Sequence, residues 1–252
     1  MGHEKNKSAS SGARFADLSV VTDPEVEAAI GTLMSEWRMR KRWQDFPAMA
    51  RHLHQHILRT FLISGKPPRR ETLKAVVPAN ADEALADLVA RDLVFLDMDD
   101  GARGEIAGAY PFSSRPTRHA VVIDGQKIAA VCAIDALGAG AMAHRDAQVA
   151  TACPICESRI DVTVTGYGLV LSAVSPATAV LWAGIEPING CAATTQCQSM
   201  LMFCSERHLQ DWCAARTGPL RGFRFTPAEA LQAGAAIFRP FLAQRPENPS
   251  HS

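Results

Sequence analysis

The segment Ala130-Val-Cys-Ala-Ile-Asp-Ala-Leu-Gly-Ala-Gly140 constrains the fold more than any other. From Cys132 onward it is small and apolar, which predicts a helix running to about Ala143. Alanines and glycines on such a helix let another backbone approach closely, and they also leave room for a ligand. The same segment places a thiol, Cys132, three residues before a carboxylate, Asp135. Positions i and i+3 share a helix face, so the acid sits within reach of whatever the thiol binds. From spacing alone, a Cys-x-x-Asp pair is a weak signal of function.

The fold class expected is α+β: an N-terminal winged-helix-like three-helix region plus hairpin, then a mixed or antiparallel sheet domain with flanking helices. Asp23-Pro24 supplies a helix cap and a first-turn proline, opening a helix to about Arg40. Its basic end, Arg38-Met-Arg-Lys-Arg42, reads as a solvated terminus. A second helix covers Pro47 to Leu62, a short one Glu71 to Val77, and a third is capped by Asn80 with Glu83 at capping-box spacing. Leu93 to Met98 and Gly104 to Ala109 read as strands, joined by a turn at Asp99-Asp100-Gly101. Tyr110 to Pro116 reads as a linker. The expected division is a disordered leader (1–22), the winged-helix-like region (23–110), a second domain (117–243) and a polar tail (244–252).

In the second domain, strands are expected at Arg118–Ile123, Lys127–Val131, Val149–Cys153, Arg159–Thr165, Ala179–Ala183 and Met200–Phe203. Ile160, Val162 and Val164 alternate as a half-buried strand requires. Ser205 caps a helix carrying Leu209, Trp212 and Cys213 on one face. Thr226-Pro227-Ala-Glu229 is a capping box with a first-turn proline.

The 26 basic and 26 acidic residues cancel, so the chain lacks the electrostatic footprint of a nucleic-acid binder. No apolar run is long enough to span a membrane, and the N-terminus has no secretory core; a cytoplasmic protein is expected. Seven cysteines without an export signal argue against a disulfide framework. Cys204 and Cys213 read as small buried hydrophobes. Cys153-Pro-Ile-Cys156 is a knuckle between two strands. A zinc ribbon would need a second pair of similar spacing, and the chain has none. A redox pair stays open, but a turn holding two thiols is the plainer reading.

At this level the chain resembles the organomercurial (alkylmercury) lyase family, from about Ile30 to Phe241. The strongest match is Val122-Ile-Asp-Gly-Gln-Lys-Ile-Ala-Ala-Val-Cys-Ala-Ile-Asp-Ala-Leu137, where the family has a β-hairpin and a Cys-Ala-Leu/Ile-Asp core. The resemblance implies that Cys132 and Asp135 are catalytic. It also implies that Cys197, in Thr195-Gln-Cys-Gln198, is the second catalytic thiol, and that Cys153 is structural. It implies cleavage of a carbon–mercury bond by protonolysis. Cys132 and Cys197 would hold the mercury as substrate and product, with no resident cofactor, and cellular thiols or a mercuric reductase would accept Hg(II). No nucleic acid or membrane partner is implied. The family often has two adjacent cysteines at the second site; here Gln198 follows Cys197, while Cys156 and Cys191 are additional.

Two other classes compete. One is a non-enzymatic metal-binding protein or metal-responsive winged-helix regulator using Cys132, Cys153, Cys156 and Cys197. The other is a thiol hydrolase on Cys132, for which His119 and His144 are the nearest histidines in sequence.

Overall fold

The computed structural model describes residues 15–34, 36–97, 104–185 and 190–243. Four helices come first: α1 (Pro24–Leu33), α2 (Glu36–Trp43), α3 (Ala48–Ser64) and α4 (Ala81–Ala90). Strands β1 (Val94–Leu96), β2 (Ile106–Ala109), β3 (Phe112–Ser113), β4 (His119–Ile123) and β5 (Gln126–Ala130) precede helix α5 (Ala133–Ala143). Then come β6 (Ala147–Ala152), β7 (Arg159–Thr165), β8 (Val170–Ser175), β9 (Val180–Gly184), β10 (Met200–Phe203), α6 (Glu206–Ala214), β11 (Gly222–Phe225) and α7 (Pro227–Phe238).

The architecture is mixed α and β, built on an antiparallel eight-stranded sheet of order β1-β2-β3-β5-β4-β6-β7-β8 and a three-stranded sheet of order β10-β9-β11. The expected strands at 118–123, 127–131 and 159–165 are present within a residue or two. β8 and β11 had no clear signal: β8 is a largely exposed edge without apolar alternation, and β11 has four residues.

Three expectations are corrected. The segment 110–116 is no linker, because Phe112 pairs with both Ala109 and Ala130 and carries the sheet straight across it. Tyr110 and Phe112 are buried side chains of the common core. The helix expected from Asp23 to Arg40 is two helices; α1 stops at Leu33, whose carbonyl accepts from Gln196 Nε2 at 3.0 Å. Residues 15–22, expected to be part of a disordered leader, pack on α7. The Asp17 amide donates to the Ala236 carbonyl (2.8 Å), its carboxylate meets Arg239 (2.7 Å), and Gln232 Oε1 accepts from the Thr22 and Asp23 amides. The Asp99–Gly101 turn and the tail from Gln244 lie outside the described residues.

Helix α5 is almost wholly buried, which its lack of long side chains allows. It crosses α7 at Gly138 and Gly234; a Cβ on Gly138 would stand 2.4 Å from the Gly234 carbonyl oxygen. That crossing has no room for a methyl group, so it fixes the height of α5, and therefore of Cys132 and Asp135, in the molecule. α7 is held at its own start by a complete capping box between Thr226 and Glu229.

Two histidines, His54 and His119, are buried in the core. Burial pulls both down to about 3, helped by the cations Arg42 and Arg118 respectively. The unfolded chain takes up protons near pH 6.5 while the folded chain refuses them. Their contribution is therefore complete above that pH and is lost as pH falls toward 3, by up to about 1.4 kcal/mol per histidine per pH unit. His119→Gln, which can keep the Thr151 hydroxyl contact (2.8 Å), is expected to lose roughly 2 kcal/mol less than the native chain between pH 7 and pH 5 in urea unfolding. Parallel pH slopes would mean that His119 protonates without unfolding.

Candidate active site

Cys132 is the last residue before α5 and its N-cap, with an extended backbone (φ −144°, ψ −179°). Its Sγ accepts from the Asp135 amide at 3.4 Å, as a serine oxygen would in that position. The cap turns the thiol onto the first turn of α5, beside the Asp135 side chain. The amides at this end of the helix favour negative charge there.

Cys197 arrives from the other side of the molecule. It lies in a 3-10 turn, Gln196–Ser199, that feeds β10. Ser199 closes the turn onto the Gln196 carbonyl (3.0 Å) and sits against Gly184 at the end of β9, where a Cβ would collide with its hydroxyl. Cys197 Sγ then points at Asp135 Oδ2, 3.9 Å away. One donor atom from each of Cys132, Asp135 and Cys197 lies within 4.8 Å of the other two, and all three residues are buried. The trio expected from sequence is thus brought together across 65 residues of chain. Met200 Sδ is 3.6 Å from Cys132 Sγ and adds a third soft atom.

Three further residues, none singled out in sequence, shape the site. Arg42, expected at a solvated helix end, is instead buried and paired with Asp92 at 2.9 Å. The guanidinium also lies over the Tyr110 ring, 4.9 Å from its centre. Asp92 Oδ1 accepts from the Tyr110 hydroxyl (3.2 Å) and the Ala192 amide (3.2 Å), and the Tyr110 oxygen accepts from the Ala193 amide (2.7 Å). This buried network holds the loop that leads to Cys197. Breaking one partner of a buried ion pair costs about 3–5 kcal/mol, so the loop is firmly tied. The one available signal was helical spacing: Met39 and Arg42, three apart, turn the same face into the cavity.

That cavity, of about 50 Å³, is lined by apolar side chains including Leu33, Met34, Ile134 and Phe238, with Arg42, Asp135 and Cys197 as its charged and reactive members. Burial sets the protonation of the site. Burial raises Asp135 to about 7, against the lowering effect of the Cys132 contact and of Arg42. Burial also pushes Cys132 well above the ordinary thiol range, with Cys197 and Asp135 acting in the same direction. Cys197 is held down by its contact with Cys132 but ends higher than an ordinary thiol, through burial and the Asp135 charge. The resting site is therefore two thiols and a carboxyl group that changes protonation near neutrality. Two sulfurs that become thiolates on binding suit a soft cation, and the carboxyl suits proton transfer.

His119 is turned into the core against Thr151, and His144 stacks on Tyr167, so neither is available as the base a thiol hydrolase would need. Cys153 and Cys156 stand in a separate group of donors.

The model of the alkylmercury lyase family (MerB) matches residues 112–239. Among solved structures, the mercury-bound form of MerB2 is similar in fold, with a TM-score of 0.67 over 88% of this chain and 100% of that one, at 20% identity. No curated protein sequence matches the chain. With the family model spanning β3 to β11, α5, the Cys197 turn and α7, about half of the chain, the chain belongs to the alkylmercury lyase family.

Proposed function

We propose that Cys132, Asp135 and Cys197 are the residues with which this alkylmercury lyase cleaves carbon–mercury bonds. The observation that carries the assignment is the convergence of two buried thiols on one buried carboxyl group. An organomercurial R–Hg⁺ meets the thiols in the apolar cavity. One thiol proton passes to Asp135 and the other leaves with the thiolate that the mercury carried in. Two sulfur–mercury bonds replace the incoming one and donate electron density to the metal. The carbon–mercury electron pair then takes the proton from Asp135, R–H departs, and Hg(II) remains on Cys132 and Cys197. No oxidation state changes, so no electron carrier is needed.

Arg42 faces both Asp135 and Cys197 electrostatically and favours their anionic forms. It would stabilise the Cys197 thiolate that binds mercury and keep Asp135 ionised, so able to receive a thiol proton, without occupying the site. We read residues 23–110 as a winged-helix-like region and 117–243 as the catalytic region. The contact of Arg42, Asp92 and Tyr110 with the Cys197 loop then gives the first region a structural role in catalysis. Cellular thiols or a mercuric reductase are proposed as acceptors of Hg(II), in the cytoplasm. No helix among the described residues is long and apolar enough to cross a membrane. A metal-responsive regulator gains no support, since the basic run of α2 places Arg42 inside the protein.

Incubation of the full-length protein with a phenylmercury salt and excess thiol is expected to release benzene, measured by gas chromatography, with one Hg(II) formed per benzene. Mercury binding without hydrocarbon release would overturn the reading.

A further inference from the structure

Outside the mercury site, four donors meet at the opposite end of β10. Cys153 and Cys156 come from the turn between β6 and β7. Cys204 follows β10, and His208 lies in the first turn of α6. Cys204 Sγ is 3.0 Å from His208 Nδ1, Cys153 Sγ is 3.6 Å from the same nitrogen, and the sulfurs of Cys156 and Cys204 are 3.6 Å apart. All four donor atoms lie within 4.8 Å of one another. A tetrahedral zinc with sulfur at about 2.3 Å and nitrogen at about 2.0–2.1 Å has donor–donor edges of roughly 3.5–3.8 Å; the Cys153–His208 and Cys156–Cys204 separations match this, and the Cys204–His208 contact would open by about half an ångström on binding.

The backbone is shaped for this. After Cys156 the chain takes a left-handed residue, Glu157 (φ 56°), whose amide donates to the Cys153 carbonyl, while the Cys153 amide donates to the Ser158 carbonyl, both at 2.9 Å. The knuckle so closed turns both sulfurs to one side. On the other half, Ser205 caps α6 by accepting from the His208 amide (3.3 Å), and the Cys204 carbonyl accepts from the Thr178 hydroxyl (2.7 Å). Cys204 and His208 are thereby fixed four residues apart on one helical turn. Cys204, expected to be a small buried hydrophobe, is instead half-buried and faces three other donor side chains.

From this geometry we propose that Cys153, Cys156, Cys204 and His208 bind a structural zinc ion. Three thiols give up their protons to solvent and His208 offers the Nδ1 lone pair, its own proton then residing on Nε2. With four protein donors the shell has no open position, which marks a structural rather than a catalytic zinc. The ion would staple the β6–β7 turn of the large sheet to the β10–α6 junction of the small one. β10 is only four residues long, about 13 Å, and its near end carries Met200 against Cys132. Zinc would therefore anchor the far end of the strand that follows Cys197, at a distance that keeps it separate from substrate mercury.

The test uses full-length protein purified under reducing conditions with zinc present and no chelator. Elemental analysis is expected to give one zinc per chain. Cobalt(II) added to chelator-stripped protein should give the visible bands of a tetrahedral cobalt–thiolate centre. Stripping should lower the melting temperature, and zinc alone should restore it. The Cys156→Ser/Cys204→Ser double variant and His208→Ala should lose the zinc, whereas the Cys132→Ser/Cys197→Ser double variant should keep it. Stripped, reduced protein that takes up neither zinc nor cobalt would overturn the proposal. So would a Cys156–Cys204 disulfide that persists under those reducing conditions, or zinc that follows Cys132 and Cys197 instead. Should the zinc-site variants fail to fold, the cobalt spectrum of the native chain decides alone. None of these readouts depends on hydrocarbon release, so the result stands apart from the lyase assignment.

Discussion

Cys132→Ser and Cys197→Ser are each expected to reduce hydrocarbon release to the no-enzyme background, and the double variant to be no worse than either single one. A hydroxyl is a hard donor that stays protonated at neutral pH, so a serine cannot replace a thiolate toward mercury. The two sulfurs act together on one metal, so removing the first already removes the activated state, and the effects do not add. The fold should survive both changes. At position 132 serine is itself a favoured N-cap and can still accept from the Asp135 amide, now held at 3.4 Å by sulfur. Cys132→Ala would instead lose that cap, at a cost of about 0.5–2 kcal/mol. Circular dichroism and urea unfolding check the fold, and gas chromatography of the released hydrocarbon checks the chemistry. A serine variant that still cleaves at the native rate would remove that cysteine from the mechanism.

Half of this site could be read from the chain and half could not. Cys132 and Asp135 were legible because a single helix turn connects them, and a small-residue run announces a buried helix. The same locality made the Thr226–Glu229 capping box legible, and both of its hydrogen bonds are present. Cys197 carries no local signal of its own. Only the resemblance to the alkylmercury lyases pointed to it, because it reaches Asp135 through a 3-10 turn seated on Gly184. Arg42, Asp92 and Tyr110 were missed for a related reason. A basic run at a helix end is solvated unless something buried needs its charge, and here Asp92, fifty residues on, does so. Tyr110 falls in a segment, 110–116, that reads as a linker, yet the two strand residues Phe112 and Ser113 suffice to continue the sheet through it. Cys204 and His208 did carry a signal, a Cys-x-x-x-His spacing downstream of a Cys-x-x-Cys knuckle. A rule that asks only for a second cysteine pair does not recognise that spacing.

Replacing Asp135 by Asn separates capture of mercury from cleavage of its bond to carbon. Both thiols remain, so the variant should still bind one R–Hg⁺ per chain, seen as an intact adduct by mass spectrometry. The amide cannot carry the proton, and hydrocarbon release should fall by about 10²–10⁴-fold, the range of a lost general acid–base group. Stability should move the other way. Asp135 titrates at about 7 in the folded protein against 3.8 for its unperturbed value, so the folded chain holds a proton that the unfolded chain has released. Its penalty is absent below the unfolded value, grows as pH rises, and is complete above about 7. At about 1.4 kcal/mol per unit it amounts to as much as ~4 kcal/mol at pH 8. Asp135→Asn should therefore unfold at higher urea than the native chain at pH 8, with the advantage shrinking toward pH 4. A merely structural aspartate would give the opposite result, a variant less stable at every pH. A variant that gains stability at high pH but keeps native turnover would confirm the buried carboxyl and deny it the proton. A variant that gains stability, captures mercury and leaves the carbon–mercury bond intact would show that this site keeps a costly buried acid because the reaction needs the proton that Asp135 carries.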